Sequence, residues 1–230
     1  MRFILAAALA LTPLLAADKE SSKRLDESAA VFSEIMATPD KGIPQKMLEN
    51  AHCIIIVPAL KTAAFLVGAK YGKGYLSCRN KGAEGWSAPA TVRIEGGSVG
   101  FQIGSSETDL IMLAMNARGA DKLLSSKFTL CVDGSIAAGA AGRTATAQTD
   151  AQMHAEILSW PRSQGIFAGV ALEGATLRQD ADSNAALYGK TIDNREIVTS
   201  GVAVPDAAEK LLGLLNRYSW HERKEITEQQ

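Results

Sequence analysis

The chain of 230 residues has little of the chemistry from which catalytic sites are built. It contains three histidines and three cysteines, and aromatic residues make up only 6% of the composition. None of the histidines stands at a metal-binding spacing from a cysteine or a carboxylate. No pair of carboxylates stands out for acid–base work. The sequence therefore predicts no catalytic residue, no metal site and no cofactor, and we interpret the protein as a non-enzyme.

Acidic residues are absent from one long segment. Between Ala51 and Ala83 there is no Asp or Glu, whereas five cations fall inside it, namely Lys61, Lys70, Lys73, Arg79 and Lys81. If the strands of this segment adjoin, the cations form a basic surface that attracts anionic headgroups or phosphates. The alternative is a solvated face whose charges are balanced by acidic residues elsewhere. The formal net charge of the whole chain is only −1, so nucleic acid is not a predicted partner.

Two of the three cysteines lie at the ends of apolar segments. Cys53 opens the segment Cys53–Val57, and Cys78 closes Gly74–Cys78. An exported chain can form a disulfide, and these two sulfurs could meet if the segments are neighbouring strands. Three buried thiols, with Cys131 as the third, are the alternative, because sequence alone does not determine connectivity.

The N-terminus has the composition of a secretory signal peptide. One positive residue, Arg2, precedes an uncharged stretch from Ile4 to Ala17, and the chain turns polar at Asp18. We predict a signal peptide over residues 1–17, with an uncleaved anchor as the alternative. A helix and turn follow over 18–43, the main domain covers 44–219, and 220–230 form a polar tail. The protein is then exported, to the periplasm or the periphery of an envelope membrane.

The hydrophobic periodicity predicts an α+β fold. Residues 19–37 form an amphipathic helix, residues 44–50 a short one, and residues 180–188 and 206–218 two more. Between them lie strand candidates with an apolar/polar alternation or an unbroken apolar run: 52–57, 63–69, 74–79, 91–95, 98–103, 110–115, 128–132, 135–140, 144–149, 156–160 and 165–172. We expect a long, curved, mostly antiparallel sheet, curved as far as a partly closed barrel, with helices at both ends.

A glycine pair divides two of these strand candidates. The segment from Gly85 to Gly104 alternates on both sides of Gly96-Gly97, which predicts a β-hairpin with its turn at the glycines. The second strand has a nearly bare face at Gly100 and Gly104. Such a face leaves room for another backbone or for a ligand to approach closely.

Several short motifs, in order and at plausible spacing, resemble the SYLF domain family. They are Ala51–Pro58, Tyr71–Gly74, Gly85–Pro89, Gly100–Gly104 with Asp109, Ala138-Gly139 with Gly142-Arg143, Gly165–Val170, Leu172–Gly174 and Tyr188-Gly189. The chain departs from the family pattern at Gly139–Arg143 and at Trp160–Ser163. The resemblance covers most of the chain from about Pro44 onward and marks residues 44–219 as a SYLF-like domain.

The resemblance implies lipid binding, and fungal members of the family are also described as actin-binding. We therefore expect a non-catalytic lipid-binding protein of the bacterial envelope. Its partner would be anionic phospholipid or a membrane surface, bound through Lys61, Lys70, Lys73 and Arg79. The alternative is a protein-interaction or envelope-structural module that binds an envelope protein without lipid.

Overall fold

Helices lie toward both ends of the chain and between its strands. The computed structural model describes residues 12–38, 42–80, 85–130, 136–138, 155–163, 166–167, 172 and 174–219. Its helices are α1 (Thr12–Ala37), α2 (Gln45–Asn50), α3 (Ala117–Leu123), α4 (Ala181–Tyr188), α5 (Asn194–Thr199) and α6 (Glu209–Tyr218), with a 3-10 turn at Asp206–Ala208. Within the described residues, no helix is both long enough and apolar enough to cross a membrane.

Among the described residues, seven strands form one curled sheet, a half-barrel. They are β1 (Cys53–Cys78), β2 (Ala90–Ala114), β3 (Lys127–Thr129), β4 (Ile136–Ala138), β5 (Ile157–Ser163), β6 (Ile166–Phe167) and β7 (Thr176–Gln179). The order is β3-β7-β2-β5-β4, with β1 along the other edge of β2 and β6 on β5. All pairs are antiparallel except β4 with β5. The predicted fold class is confirmed.

The hairpin predicted at Gly96-Gly97 is wrong. β2 continues through both glycines, which pair with Lys70 and Ala69 of β1. Gly96 serves close packing instead, because a Cβ there would lie 2.7 Å from the Cα of Ala175, far inside normal contact. The three strands expected between residues 52 and 79 are likewise one strand, β1.

β1 and β2 form a long two-stranded ribbon that bends back on itself. The first and last residues of β1, Cys53 and Cys78, are joined by a disulfide. Beside it, the N–H of Arg79 donates to the carbonyl of His52 at 2.8 Å. At Gly74 the strand crosses its own path so closely that a Cβ would lie 2.1 Å from the Ile56 oxygen.

A bulge assists this bend. The β1–β2 register shifts between Val57 and Leu60, where Ala59 has a left-handed φ of 47°. Its N–H donates to Asp109 Oδ1 at 3.0 Å. The other oxygen of Asp109 accepts from Arg162 at 2.9 Å, and Arg162 also donates to Glu34 of α1 at 2.7 Å. The strained turn is therefore tied to both the sheet and the first helix.

The bent ribbon creates two apolar cores. The inner core lies on the face of the sheet that packs against helices α3 and α5, and includes Ile55, Leu76, Val92, Met112 and Leu177. The outer core lies between the sheet and helices α1 and α6, and includes Leu25, Phe32, Ile54, Ile111 and Leu215. Residues 53–57 and 110–114 are consequently buried on both faces, which explains their unbroken apolar sequence.

Some predicted features lie outside the described residues. They are residues 1–11, the strand candidate at 144–149, Cys131 and the polar tail 220–230. Helix α1 begins at Thr12 and so passes through the predicted cleavage point. Helix α5 was not expected from the sequence. It is capped by Asp193, whose side chain accepts from the N–H of Glu196 at 2.7 Å.

The two adjacent glycines of β2 allow a matched test of the strand assignment. We expect Gly96→Ala to lower the free energy of unfolding by about 1–3 kcal/mol, because its methyl group meets the backbone of Ala175. Gly97→Ala changes it by less than about 1 kcal/mol, because its nearest neighbour, the Gly68 oxygen, would lie at an ordinary 3.6 Å. Urea unfolding measures both. Similar large losses at both positions would instead support a glycine turn.

The disulfide predicts a stability that depends on reductant. Replacing Cys53 and Cys78 by Ala together should cost about 3 kcal/mol of unfolding free energy. Reductant should lower the wild-type protein to the level of this variant and leave the variant unchanged. A peptide mass map under non-reducing conditions should contain the Cys53–Cys78 linked peptide. A wild-type protein that is indifferent to reductant would contradict this expectation.

Candidate functional site

The four cations predicted to bind anions are not gathered into one exposed surface. Lys61 is exposed and lies 3.6 Å from Glu107 on the neighbouring strand. Lys70 is buried, with 6% of its surface exposed. Lys73 lies 2.8 Å from the buried carboxylate of Asp180. Within the described residues, the positive charge of the acid-free segment is thus mostly balanced by groups from elsewhere in the fold.

The side chain of Arg79 links neighbouring parts of the fold. Its Nη2 donates to the carbonyls of Leu48 at 2.9 Å and Ser219 at 3.1 Å, which joins the ends of α2 and α6. The guanidinium also stacks over the Trp86 ring at 4.2 Å. Burial lowers the pKa of this arginine from its usual value. These contacts give carbonyls near the C-terminal ends of both helices a side-chain donor.

A row of cations does appear across the outer face of one half of the sheet. Lys73 of β1 pairs with Arg93 of β2, Arg93 with Arg178 of β7, and Arg178 with Lys127 of β3. Directly paired residues of neighbouring strands point to the same face, so the four side chains form one cross-strand series. We call this series, Lys73, Arg93, Arg178 and Lys127, the basic row.

The basic row lies opposite the inner core. Its strands alternate, and the residues next to the cations, such as Ile94, Leu177 and Phe128, are buried in the inner core. The side chains of Arg93 and Arg178 are about one-third exposed, at 33% and 38%. Lys127 is also exposed. The period of two thus separates the apolar core from a charged outer surface.

Two carboxylates partly offset the four cations. Glu95 lies between two of them, 3.4 Å from the Nε of Arg93 and 2.8 Å from that of Arg178. Asp180 is the partner of Lys73. Burial alone would raise the pKa of Asp180, but the hydrogen bonds from Lys73 and Ser183 outweigh it and hold the pKa below its usual value. Four cations against these two carboxylates leave the row with an excess of positive charge.

An exposed aromatic side chain flanks the basic row. Tyr71 is two residues before Lys73 on β1 and is therefore on the same face. It is 49% exposed, which makes it one of two large hydrophobic residues that the described part of the chain leaves open to solvent. Tyr71 pairs with Glu95, beside the arginines. The outer face thus presents cations next to a ring with an apolar body and a polar tip.

The described residues form neither a metal centre nor a nucleophile elbow. No group of three or more His, Cys, Asp or Glu side chains among them is placed to hold a metal ion. The stretch Gly96–Gly100 has the letters of a nucleophile elbow, but it lies within the continuous strand β2 and lacks the strand–turn–helix context. What the outer face can do chemically is attract and hold anions.

Sequence reasoning found Lys73 but missed the other members of the basic row. Arg93 was visible as an outward-facing residue in an alternating strand. Arg178 and Lys127 lie in strands of four and three residues, too short for a clear pattern. Only the register of β2, β7 and β3 brings them together, and no residue type signals that register.

Comparison with known proteins gives a consistent set of matches. A family model described as Ysc84, Las17-binding protein actin regulator, matches residues 95–218, more than half of the chain. An SH3 domain-containing protein of Schizosaccharomyces pombe is 34% identical over 210 residues, which are 89% of this chain and 48% of that protein. Protein YSC84 of Saccharomyces cerevisiae is 32% identical over 180 residues, 76% of this chain and 38% of the yeast protein.

A human relative extends the set. The SH3 domain-containing YSC84-like protein 1 of Homo sapiens is 29% identical over 204 residues, 87% of this chain and 59% of the human protein. The chain thus spans about half the length of the curated relatives that it matches. The family description names Las17 binding and actin regulation, and none of these names states an enzyme activity.

The buried ion pair of the basic row has a testable pH dependence. Lys73→Met leaves the Asp180 carboxylate buried without its cation, and we expect a loss of about 3 kcal/mol in unfolding free energy at pH 7. Lys61→Met is the matched control and should cost less than about 1 kcal/mol, because its pair with Glu107 is exposed.

The sign of the pH effect follows from the pKa of Asp180. In the wild-type protein this pKa is below its unfolded value, so the stabilisation is complete at neutral pH and is lost as the pH falls through the folded pKa. The difference between wild type and Lys73→Met should therefore shrink below about pH 4. Unfolding measured between about pH 3 and pH 7, a range that brackets the usual pKa of Asp, checks this. A difference that does not change with pH would contradict the assignment.

Proposed function

Because the chain belongs to the Ysc84 (SYLF) family, whose description names binding and regulation and no enzyme activity, we propose that it is a non-catalytic protein that binds anionic phospholipid headgroups. The observation that carries this proposal is the basic row, four cations in register on an open sheet face. Of the four site residues predicted from the sequence, Lys73 is the one that belongs to the basic row. The exposed Tyr71 supplies an amphipathic contact beside it.

The dimensions of the basic row suit a membrane surface. Neighbouring strands are about 4.8 Å apart, so the four strands place their cations along about 14 Å. A lysine or arginine near an anionic membrane surface contributes about 1 kcal/mol. With four cations against Glu95 and Asp180, several headgroups can be held at once, while a single small anion would use only part of the row.

We place this activity outside the cytoplasm. In our proposal the signal peptide over residues 1–17 is removed and the protein acts in the periplasm or at an envelope membrane. The buried face of α1 that the structure describes lies after this segment, at Ser21, Leu25, Ala29 and Phe32.

A protein-interaction module is the second candidate. β1 pairs with β2 along one edge, and no strand among the described residues pairs with its other edge. Such an edge can accept a strand from a partner. The family description names Las17 binding, which favours a protein partner for some members. This candidate requires no lipid.

Liposome co-sedimentation tests the lipid proposal. The purified protein should bind vesicles of phosphatidylcholine with phosphatidylglycerol and should not bind pure phosphatidylcholine. The double variant Arg93→Gln/Arg178→Gln should bind about 30-fold more weakly, from about 1 kcal/mol per cation. Binding should also fall with added salt, because surface charges are screened.

The matched control removes the same charge elsewhere. Arg118 and Arg217 are both exposed and lie outside the basic row, so Arg118→Gln/Arg217→Gln should leave binding nearly unchanged. Equal losses in the two double variants would show that only overall charge matters. Failure to bind anionic vesicles, together with capture of an envelope protein in detergent, would favour the second candidate.

A further inference from the structure

Two carboxylates accompany the basic row, and the fold holds them in different ways. Asp180 is buried, with 2% of its side chain exposed, and it accepts from the hydroxyl of Ser183 at 2.8 Å as well as pairing with Lys73. Glu95 lies at the surface, with 35% of its side chain exposed. Asp180 is therefore fixed inside the fold, whereas Glu95 is the carboxylate of the row that a ligand can reach.

Charge, rather than aligned hydrogen bonds, holds Glu95 beside the arginines. Its Oε1 lies 2.8 Å from the Nε of Arg178 and its Oε2 lies 3.4 Å from the Nε of Arg93, so one oxygen faces each guanidinium. Among the described residues, however, neither Nε–H has a hydrogen-bond partner. A close contact without a hydrogen bond is poorly aligned, and a partly exposed ion pair of this kind is weak and easily broken.

The two arginines are only partly neutralised. Arg93 and Arg178 are directly paired residues of β2 and β7, which places like charges side by side on one face. Within the described part of the chain Glu95 is their only ion-pair partner, so two guanidiniums share one carboxylate. Two neighbouring guanidiniums favour an oxyanion that offers several oxygens at once, such as a phosphate group.

We propose that Glu95 is an internal competitor, which occupies the place between Arg93 and Arg178 that the phosphate group of a ligand takes and which the ligand displaces. The inference rests on the function proposed above only in taking the basic row as the anion-binding surface. Because the carboxylate is tethered beside the arginines, its effective concentration is high, and a single small anion competes poorly. A surface with many headgroups also reaches Lys127 and displaces it. Glu95 therefore sets the density of negative charge that the protein requires.

Removal of the carboxylate should strengthen the binding of a free anion. We expect Glu95→Gln to bind inorganic phosphate about fivefold more tightly than wild type in calorimetry at constant ionic strength, because phosphate no longer competes with Glu95. Glu107→Gln is the matched control. It removes the same charge from another exposed pair of the β1–β2 ribbon, the pair with Lys61, and should change phosphate binding by less than about twofold. Equal gains in the two variants, or no gain in Glu95→Gln, would overturn the proposal.

The gain should depend on the two arginines. In the background Arg93→Gln/Arg178→Gln, the further change Glu95→Gln should leave phosphate binding unchanged, because no guanidinium remains for the carboxylate to block. A gain that persists in this background would contradict direct competition. If circular dichroism shows that Glu95→Gln does not fold, Glu95→Asp replaces it, since the shorter side chain keeps its charge but does not reach both guanidiniums. A gain of about twofold is then expected, and no gain would overturn the proposal.

Vesicles separate this inference from the membrane proposal. In co-sedimentation with phosphatidylcholine that contains increasing phosphatidylglycerol, Glu95→Gln should reach half-maximal binding at about half the phosphatidylglycerol fraction that wild type needs. An unchanged fraction, with wild-type protein still bound, would overturn the role of Glu95 and leave the lipid proposal standing. If wild-type protein binds no anionic vesicles while Glu95→Gln gains phosphate binding, the membrane proposal fails and the competition at Arg93 and Arg178 stands.

Discussion

The contact between the two ends of β1 is the constraint on which the rest of the structure depends. A strand of 26 residues would be about 85 Å long if extended. Its first and last Cα atoms are nevertheless 3.9 Å apart. Such a path needs a point where backbone can touch backbone, and Gly74 provides it against Ile56. The bulge at Ala59 and the disulfide hold the bent strand in place.

The bend determines which positions of the strands are buried and therefore carry apolar side chains. It places Ile55 and Leu76, from opposite ends of β1, in the same inner core. It also turns Ile54 and Ile56 outward, where α1 covers them, and the hydroxyl of Tyr75 donates to the carbonyl of Ser21 on that helix at 2.7 Å. The other half of the outer face has no such cover at Arg93 and Arg178, and that is where the strands carry charge.

Local sequence patterns predicted the fold class, but they did not predict the path of the chain. The amphipathic stripe of α1 and the apolar segments 53–57 and 110–114 predicted buried elements, and the structure buries them. The turn predicted at Gly96-Gly97 is wrong, because a glycine pair is equally suited to a turn and to a close backbone contact. The contact with Ala175 involves a segment almost 80 residues away, which local periodicity does not reveal.

In the candidate site, too, local sequence did not reveal which charged groups would lie side by side. A stretch without acidic residues suggested a basic surface, yet Lys61 finds Glu107, Lys73 finds Asp180, and Arg79 finds carbonyls. A cation on a strand is neutralised or not according to what the register puts beside it, rather than by its neighbours in sequence. Positive charge therefore remains where β1, β2, β7 and β3 align like charges, a place that only the assembled sheet defines.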